Sequence, residues 1–502
     1  MTDEGRAASQ PAAPEPTGPA DPDEAMRLAR RRFFRSFAGD AMKAAATVVG
    51  AAGALREGTA GMASALLGTA EPAAPPVLAG AVAESVGAAA MAVTWRSTFR
   101  VEREQVVLLD QRRLPDELVE VVCLSGAEVA QAFRESVVRG APLLGQLAAC
   151  GLALTAERSI LSSPFARRAI LFGTANALRN AAPTAAPVRN AMDRMLARLA
   201  AVGDVAADGA SVAAALREEA DAIVSEAIGA HARLAAHGAM LFASDPRTAA
   251  VKTLRILTIG STGELAGGQV GTALAIVRAL RDDGRDVQVL VAETRPWLAG
   301  ARLVAWELAQ AGIPCTLVGD GAASGMLARG EVGAVLVGAE SIAGNGDVAG
   351  DPGCYGLAVV ADRHAIPFVV AAPLAACDPQ AADGKALAAD PRPAWELLSF
   401  AGRRIAPEGT AALNPSVDVV PASLVSAIVT EAGVFRAPHG TLLADAAAAV
   451  TADRPAPRAA AANTASAAPA ADTAPAAPAA AAGLAAPAAT VAAPTDDGRS
   501  EA

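Results

Sequence analysis

The 502-residue chain is 53% hydrophobic but only 3% aromatic, so alanine supplies much of the apolar count and the core is smaller than the length suggests. With 42 Lys and Arg against 52 Asp and Glu, its formal charge is -10, which excludes the basic footprint of a general nucleic-acid binder. The five cysteines, Cys123, Cys150, Cys315, Cys354 and Cys377, form no C-x-x-C pair, so neither a disulfide framework nor a zinc site is signalled, and a reducing cytoplasm fits.

The Ala- and Pro-rich ends, 1–24 and 452–502, cannot bury enough surface to offset chain entropy and are expected to be disordered. Residues 25–95 read as a helical extension broken near Gly58 and at 71–76. Within it, Arg30-Arg31-Arg32-Phe33-Phe34-Arg35 has the outline of a twin-arginine export signal. Asp40, Lys43, Arg56 and Glu57 interrupt the apolar run that should follow, so a basic cytosolic helix is the better reading. The stretch 77–95 carries Glu84 and is mostly Ala and Gly, which makes a poor membrane span.

From 96 to 250 the pattern predicts a mainly helical domain with a small sheet. Val-rich runs at 99–109 and 118–124 read as strands, and amphipathic helices follow at 126–154, 167–180, 186–199 and 212–237. From 251 to 440, strands at 256–260, 287–292, 315–318, 334–337 and 368–371 alternate with helices at 271–282, 299–311 and 355–364. That rhythm predicts an α/β fold, a Rossmann-like, doubly wound parallel sheet. Ligands of such sheets sit beyond the carboxyl ends of the strands, so the loops after Thr258, Leu290, Val337 and Val370 are where chemistry is expected.

The turn from Gly260 through Ser261, Thr262 and Gly263 to Gly267-Gly268 follows a strand and opens a helix. Its backbone N–H groups and the helix dipole suit an anion such as a phosphate; a tight turn without a ligand is the other reading. Gly263 and Gly268 have Walker-A spacing, but Gln269 and Val270 stand where Lys and Ser/Thr are needed, and nucleoside triphosphate and dinucleotide binding are disfavoured. The next strand ends in Glu293-Thr294-Arg295-Pro296, with Arg302 beyond it, forming either a site or an ion pair. The strand at 334–337 leads to Glu340, the best-placed general acid or base; a solvated strand-end Glu is the alternative.

Taken together, the Gly-rich turn, Glu293-Thr294-Arg295-Pro296 with Gly300-Ala301-Arg302, Asn345-Gly346-Asp347, Ala406-Pro407-Glu408-Gly409 and Asn414-Pro415 resemble methylthioribose-1-phosphate isomerases. Leu109-Asp110-Gln111-Arg112 and Val138-Arg139-Gly140-Ala141-Pro142 are similar to their amino-terminal domain, and the likeness runs in order from 101 to 438. The superfamily also includes ribose-1,5-bisphosphate isomerase and the regulatory subunits of initiation factor 2B. The resemblance implies conversion of an aldose 1-phosphate to a ketose 1-phosphate by a homodimer without metal or redox cofactor. It places substrate contacts at Arg139, Gly140, Ala141, Thr262, Gly263, Arg295 and Asp347.

The family's reactive cysteine falls on Gly260, preceded by Ile259 in place of histidine, and its catalytic aspartate falls on Glu340. An Asn-Lys pair has become Gly350-Asp351, an arginine is Ala182, and a glutamine is Ala299. These departures lead to the expectation of a divergent member that binds a phosphorylated sugar or nucleotide with lost or altered isomerase chemistry. An active isomerase working through Glu340 and an assembly or regulatory scaffold are the alternatives.

Overall fold

The computed structural model describes residues 97–203, 206–387 and 391–439, with Leu443, Asp445, Ala446, Ala447 and Ala449 beyond them. The expected tails and the 25–95 extension lie outside the described residues. The described residues belong to one compact unit.

Three short strands open it: β1 (Phe99–Glu102), β2 (Gln105–Leu109) and β3 (Glu120–Cys123) form an antiparallel sheet in that order. The single strand expected at 99–109 is therefore a hairpin. The helix expected at 126–154 is two: α1 (Gly126–Arg134), capped by the Ser125 side chain, and α2 (Ala141–Arg158). Ser136 and Gly140 have φ of 56° and 103° between them, a backbone that no helix accommodates. Next come α3 (Pro164–Ala181), α4 (Ala186–Val202) and the 36-residue α5 (Gly209–Ser244), whose Asp208 cap accepts from Ser211 N–H. The Ala- and Leu-rich α2 is buried along nearly its whole length, and it anchors a core completed by Leu171, Met192, Leu199 and Leu216.

After α5 the chain enters a seven-stranded sheet. Its strands are β4 (Thr253–Thr258), β5 (Asp286–Ala292), β6 (Cys315–Val318) and β7 (Ala334–Val337), then β10 (Phe368–Ala371), β15 (Ala427–Thr430) and β16 (Gly433–Phe435). The order is β16-β15-β10-β7-β4-β5-β6, parallel except for β16. Every residue of β7 and β10 is buried, as expected for parallel strands covered on both faces. Helices α6 (Ala273–Asp282), α7 (Ala305–Gln310), α8 (Asp320–Ala328) and α9 (Cys354–Arg363) connect them. The helix expected at 299–311 begins with a π-helical turn, Gly300–Val304, at a point where a Cβ on Gly300 would collide with the Ala292 carbonyl.

Two insertions decorate the carboxyl edge of this sheet. Strands β8 (Ser341–Ala343), β9 (Val348–Gly350), β11 (Cys377–Asp378) and β14 (Asp418–Val420) make a small sheet in the order β11-β8-β9-β14. Between β11 and β14 the chain makes an excursion carrying the hairpin β12 (Ser399–Phe400) and β13 (Arg403–Arg404). No described helix is long and apolar enough to cross a membrane.

Strand order reverses between β4 and β7: the chain runs outward from β4 through β5 to β6, then returns to pair β7 with the other side of β4. The crevice at such a reversal is where doubly wound sheets take ligands.

Candidate active site

The Gly-rich turn leaves β4 at that reversal and is built largely by its own packing. Gly260, at φ +87°, donates its N–H to Thr294 Oγ1 at 2.9 Å. The Thr262 carbonyl accepts the N–H groups of Thr272 and Leu274, each at 3.2 Å. A Cβ on Gly263 would stand 2.5 Å from Cδ of Glu307, whose carboxyl accepts Glu264 N–H at 2.6 Å and Leu265 N–H at 3.3 Å. Burial pushes Glu307 up to about 7 despite the nearby Arg278. Thr262 and Gly263 thus serve the turn and are not among the residues lining the cavity beside it.

The helical part docks on this turn through Gly140, where a Cβ would overlap Ala266. Gln111 fixes the contact by donating to the Leu265 carbonyl at 2.7 Å and accepting Arg139 N–H at 3.0 Å. The Arg139 guanidinium lies 4.8 Å from the Trp297 ring centroid, and Arg302 covers the same ring at 4.5 Å. Arg302 is itself fixed by the carbonyls of Gln111, Arg112 and Leu114, at 2.7 to 3.2 Å, and by that of Trp297 at 3.3 Å.

Between these parts lies a cavity of about 20 Å³, lined by Gly140, Ala141, Ser261, Glu340, Asp351 and Cys354 among others. That volume admits a water-sized group. Glu340 follows β7 and is held by its N–H to the Ala349 carbonyl at 2.8 Å. Both carboxyls keep some surface toward the cavity, but protein surrounds them. Desolvation, and then the Asp351 charge, push Glu340 up to about 7 against the pull of Arg139 and Arg392. Burial also raises Asp351, opposed by Arg139, the Ser261 N–H and Arg392. The Cys354 thiol is driven well above its ordinary value by burial, then by Asp351 and Asp418. Burial lowers Arg139, and Arg392 adds repulsion.

Other expected contact residues stand elsewhere. Asp347 ties the small sheet together, accepting from Gly384 N–H at 2.9 Å and Ala422 N–H at 2.8 Å. Burial opposes its charge, but Asn345 and these donors outweigh it and hold the carboxyl below its ordinary value. Arg295 lies over Phe400 of the excursion at 5.6 Å, and the acid beside its backbone is Asp320, which accepts the N–H groups of Thr294 and Arg295. Ala182 and Ala299 are buried. Cys354 was legible only as a small core residue; its place in the cavity depends on α9 starting directly behind Asp351. Among the described residues, no group of three or more His, Cys, Asp or Glu could hold a metal ion.

The chain matches the model of the initiation factor 2 subunit family over residues 137–437. It is 44% identical over 338 residues to the methylthioribose-1-phosphate isomerase of Chloroflexus aurantiacus, covering 67% of this chain and 94% of the relative. The enzyme of the same name from Desulforudis audaxviator is 44% identical over 340 residues, 68% of this chain and 94% of the relative. Among solved structures, 5-methylthioribose 1-phosphate isomerase from Pyrococcus horikoshii OT3 superposes with a TM-score of 0.61 at 32% identity, covering 70% of this chain and 96% of that one. Translation initiation factor eIF-2B subunit delta from A. fulgidus gives 0.57 at 31% identity, with 69% and 97% covered. With the reversal-point cavity, the two-part fold and these matches in agreement, the chain belongs to the initiation factor 2 subunit family.

Proposed function

We propose that this chain is an aldose–ketose isomerase, sharing the reaction class in its relatives' name and not necessarily their phosphorylated substrate, with Glu340 as the proton-transferring group. The observation that carries the reading is the placement of Glu340 beside a second carboxyl, Asp351, in a cavity at the point where strand order reverses; burial and the Asp351 charge push Glu340 up to about 7. A group poised there both takes and returns a proton at working pH. Such an isomerisation moves one hydrogen from C2 to C1 and one hydroxyl proton between oxygens; nothing is oxidised or reduced overall, so no redox partner is needed. The relatives' shared name favours this active reading over the expectation of lost chemistry. The same reading makes the chain a cytoplasmic homodimer, which light scattering of the purified protein checks for its oligomeric part.

A specific observation favours a second reading, a regulatory or binding protein without turnover. The cavity, at about 20 Å³, admits no more than a water-sized group, and a sugar enters only when its walls part. The deciding experiment supplies purified protein with methylthioribose-1-phosphate and with methylthioribose, and follows ketose formation by NMR. Turnover of either sugar by the wild type, lost in Glu340→Gln, supports the isomerase. No ketose from either sugar hands the conclusion to the second reading.

A further inference from the structure

We propose that the cavity between Gly140, Ser261, Glu340 and Asp351 selects an uncharged aldose with a free anomeric hydroxyl, and discriminates against sugar phosphates. The inference rests on the isomerase reading for its chemistry, but its binding claim stands on the cavity's own groups.

The first ground is charge. Two carboxyls, Glu340 and Asp351, line the cavity. Of the two guanidinium groups acting on them, Arg392 is already engaged by both oxygens of Glu396, Nε to Oε2 at 2.8 Å and Nη2 to Oε1 at 2.5 Å. That leaves Arg139 alone to answer two acids. The Cys354 thiol, with its proton held tightly, adds no charge of its own. A phosphate dianion entering here meets carboxylate without a surplus of cation, and such a contact is repulsive in a weakly solvated site.

The second ground is the pattern of unused hydrogen-bonding atoms. Nη1 of Arg139 and Oγ of Ser261 are buried without a hydrogen-bond partner, and for Ser261 that is a cost that a ligand bound in the cavity removes. Asp351 accepts from Ser261 N–H and, with Glu340, retains further lone pairs. Of the two unpartnered groups, Ser261 lines the cavity, so the ligand that fits must donate to the acids while accepting from Ser261. Hydroxyls on neighbouring carbons do both; phosphate oxygens only accept when ionised.

The third ground is space. A Cβ on Gly260 would overlap the Asp351 carboxylate and stand 2.7 Å from its Cγ. The carboxylate therefore occupies the niche that a side chain on the Gly-rich turn would fill, and it is part of the site's wall.

The chemistry agrees with this ligand. A free anomeric hydroxyl lets the ring open to an aldehyde, which an ester on that oxygen prevents. The C2 proton then passes to ionised Glu340 as the C1–C2 double bond of an enediol forms. Asp351 takes the proton of the C2 hydroxyl and delivers it to O1. Glu340 returns its proton to C1, leaving the ketose, both acids as they began, and no electron gained or lost.

The test is isothermal titration of the full chain at pH 7.5 with methylthioribose and with methylthioribose-1-phosphate, on wild type and on Asp351→Asn. The expected result is free sugar bound at least about tenfold tighter than the phosphate ester by the wild type. In Asp351→Asn the ester should gain about tenfold or more, a change of about 1.4 kcal/mol. The wild-type comparison decides even if the variant fails to fold. An ester bound as tightly as the free sugar, or neither ligand bound, overturns the inference. Free sugar bound but never converted leaves the inference standing and removes the isomerase reading. An ester both preferred and converted does the reverse.

Discussion

Gly260 and Asp351, ninety-one residues apart in sequence, share one volume: a Cβ on the first would lie within the van der Waals shell of the second's carboxylate. The absence of a side chain at 260 and the acid at 351 are therefore one structural fact. Gly260→Ala should cost about 2–3 kcal/mol, from overpacking and from its positive φ. The same change in an Asp351→Gly background should cost clearly less. Thermal melts of the two single variants and the double variant measure the coupling, and strict additivity would show that the two positions do not compete.

The proposed role of Glu340 as proton-transferring group makes turnover depend on pH. As the base it must be ionised, so kcat/KM should rise with pH through about 7, the value to which burial and Asp351 bring it. Glu340→Gln should lower kcat by 10²-fold or more, on the scale of a lost general base. A pH profile that is flat between 6 and 8 would remove Glu340 from the proton path.

Glu307 sets a slope on stability. It is 3% exposed and its folded carboxyl sits at about 7 against an ordinary value of 4.5, so between those values the folded state holds more proton than the unfolded. Stability should therefore fall as pH rises from below 4.5 through 7, by about 3 kcal/mol from this group. Chemical denaturation at pH 5 and pH 8 checks it. Glu307→Gln should flatten the slope, and an unchanged slope in the variant would assign it to other groups.

Arg302 should matter to folding more than a half-exposed cation ordinarily does. Its guanidinium satisfies four carbonyls of the 111–114 turn and Trp297 and braces the ring on which Arg139 rests. Arg302→Ala leaves those carbonyls unpaired and should destabilise by about 2–4 kcal/mol. Lysine should recover little, because a single ammonium cannot reproduce the planar fork. Denaturant titrations of both variants give the measurement.

How much of this was legible depended on range. The parallel strands were, because runs such as Ala-Val-Leu-Val at 334–337 and Phe-Val-Val-Ala at 368–371 are apolar on both faces. The Gly-rich turn and Glu340 were legible as strand ends. The break between α1 and α2 was missed because Ser136 and Gly140 interrupt an otherwise uniform helical pattern, and only Gly140's contact with Ala266, far along the chain, explains it. Of the expected contacts only Gly140 and Ala141 line the cavity; Arg295 and Asp347 are engaged by the excursion and the small sheet, and the Arg139 guanidinium lies against Trp297. The position of Cys354 behind Asp351 comes from the tight turn at Gly353 (φ 105°), and no local pattern announces it.

Helix α5 has a mechanical consequence. Leu216 and Ala220 near its start belong to the helical core, whereas Leu234 and Phe242 near its end belong to the core of the sheet, and Gly238 is pressed against Ile276 of α6. A continuous rod embedded at both ends resists hinging, so swinging the two halves apart would require breaking that helix. The excursion between β11 and β14 contributes no described residue to the lining of the cavity. It carries Arg392, reaches the helical part through Arg392 Nη2 to Ser136 Oγ at 3.4 Å, and leaves Trp395 and Leu413 largely in solvent. Gly140, Ala141 and Pro142 line the cavity from the helical half and Ser261, Glu340 and Asp351 from the sheet half, so the rod of α5 holds its two sides at a fixed separation.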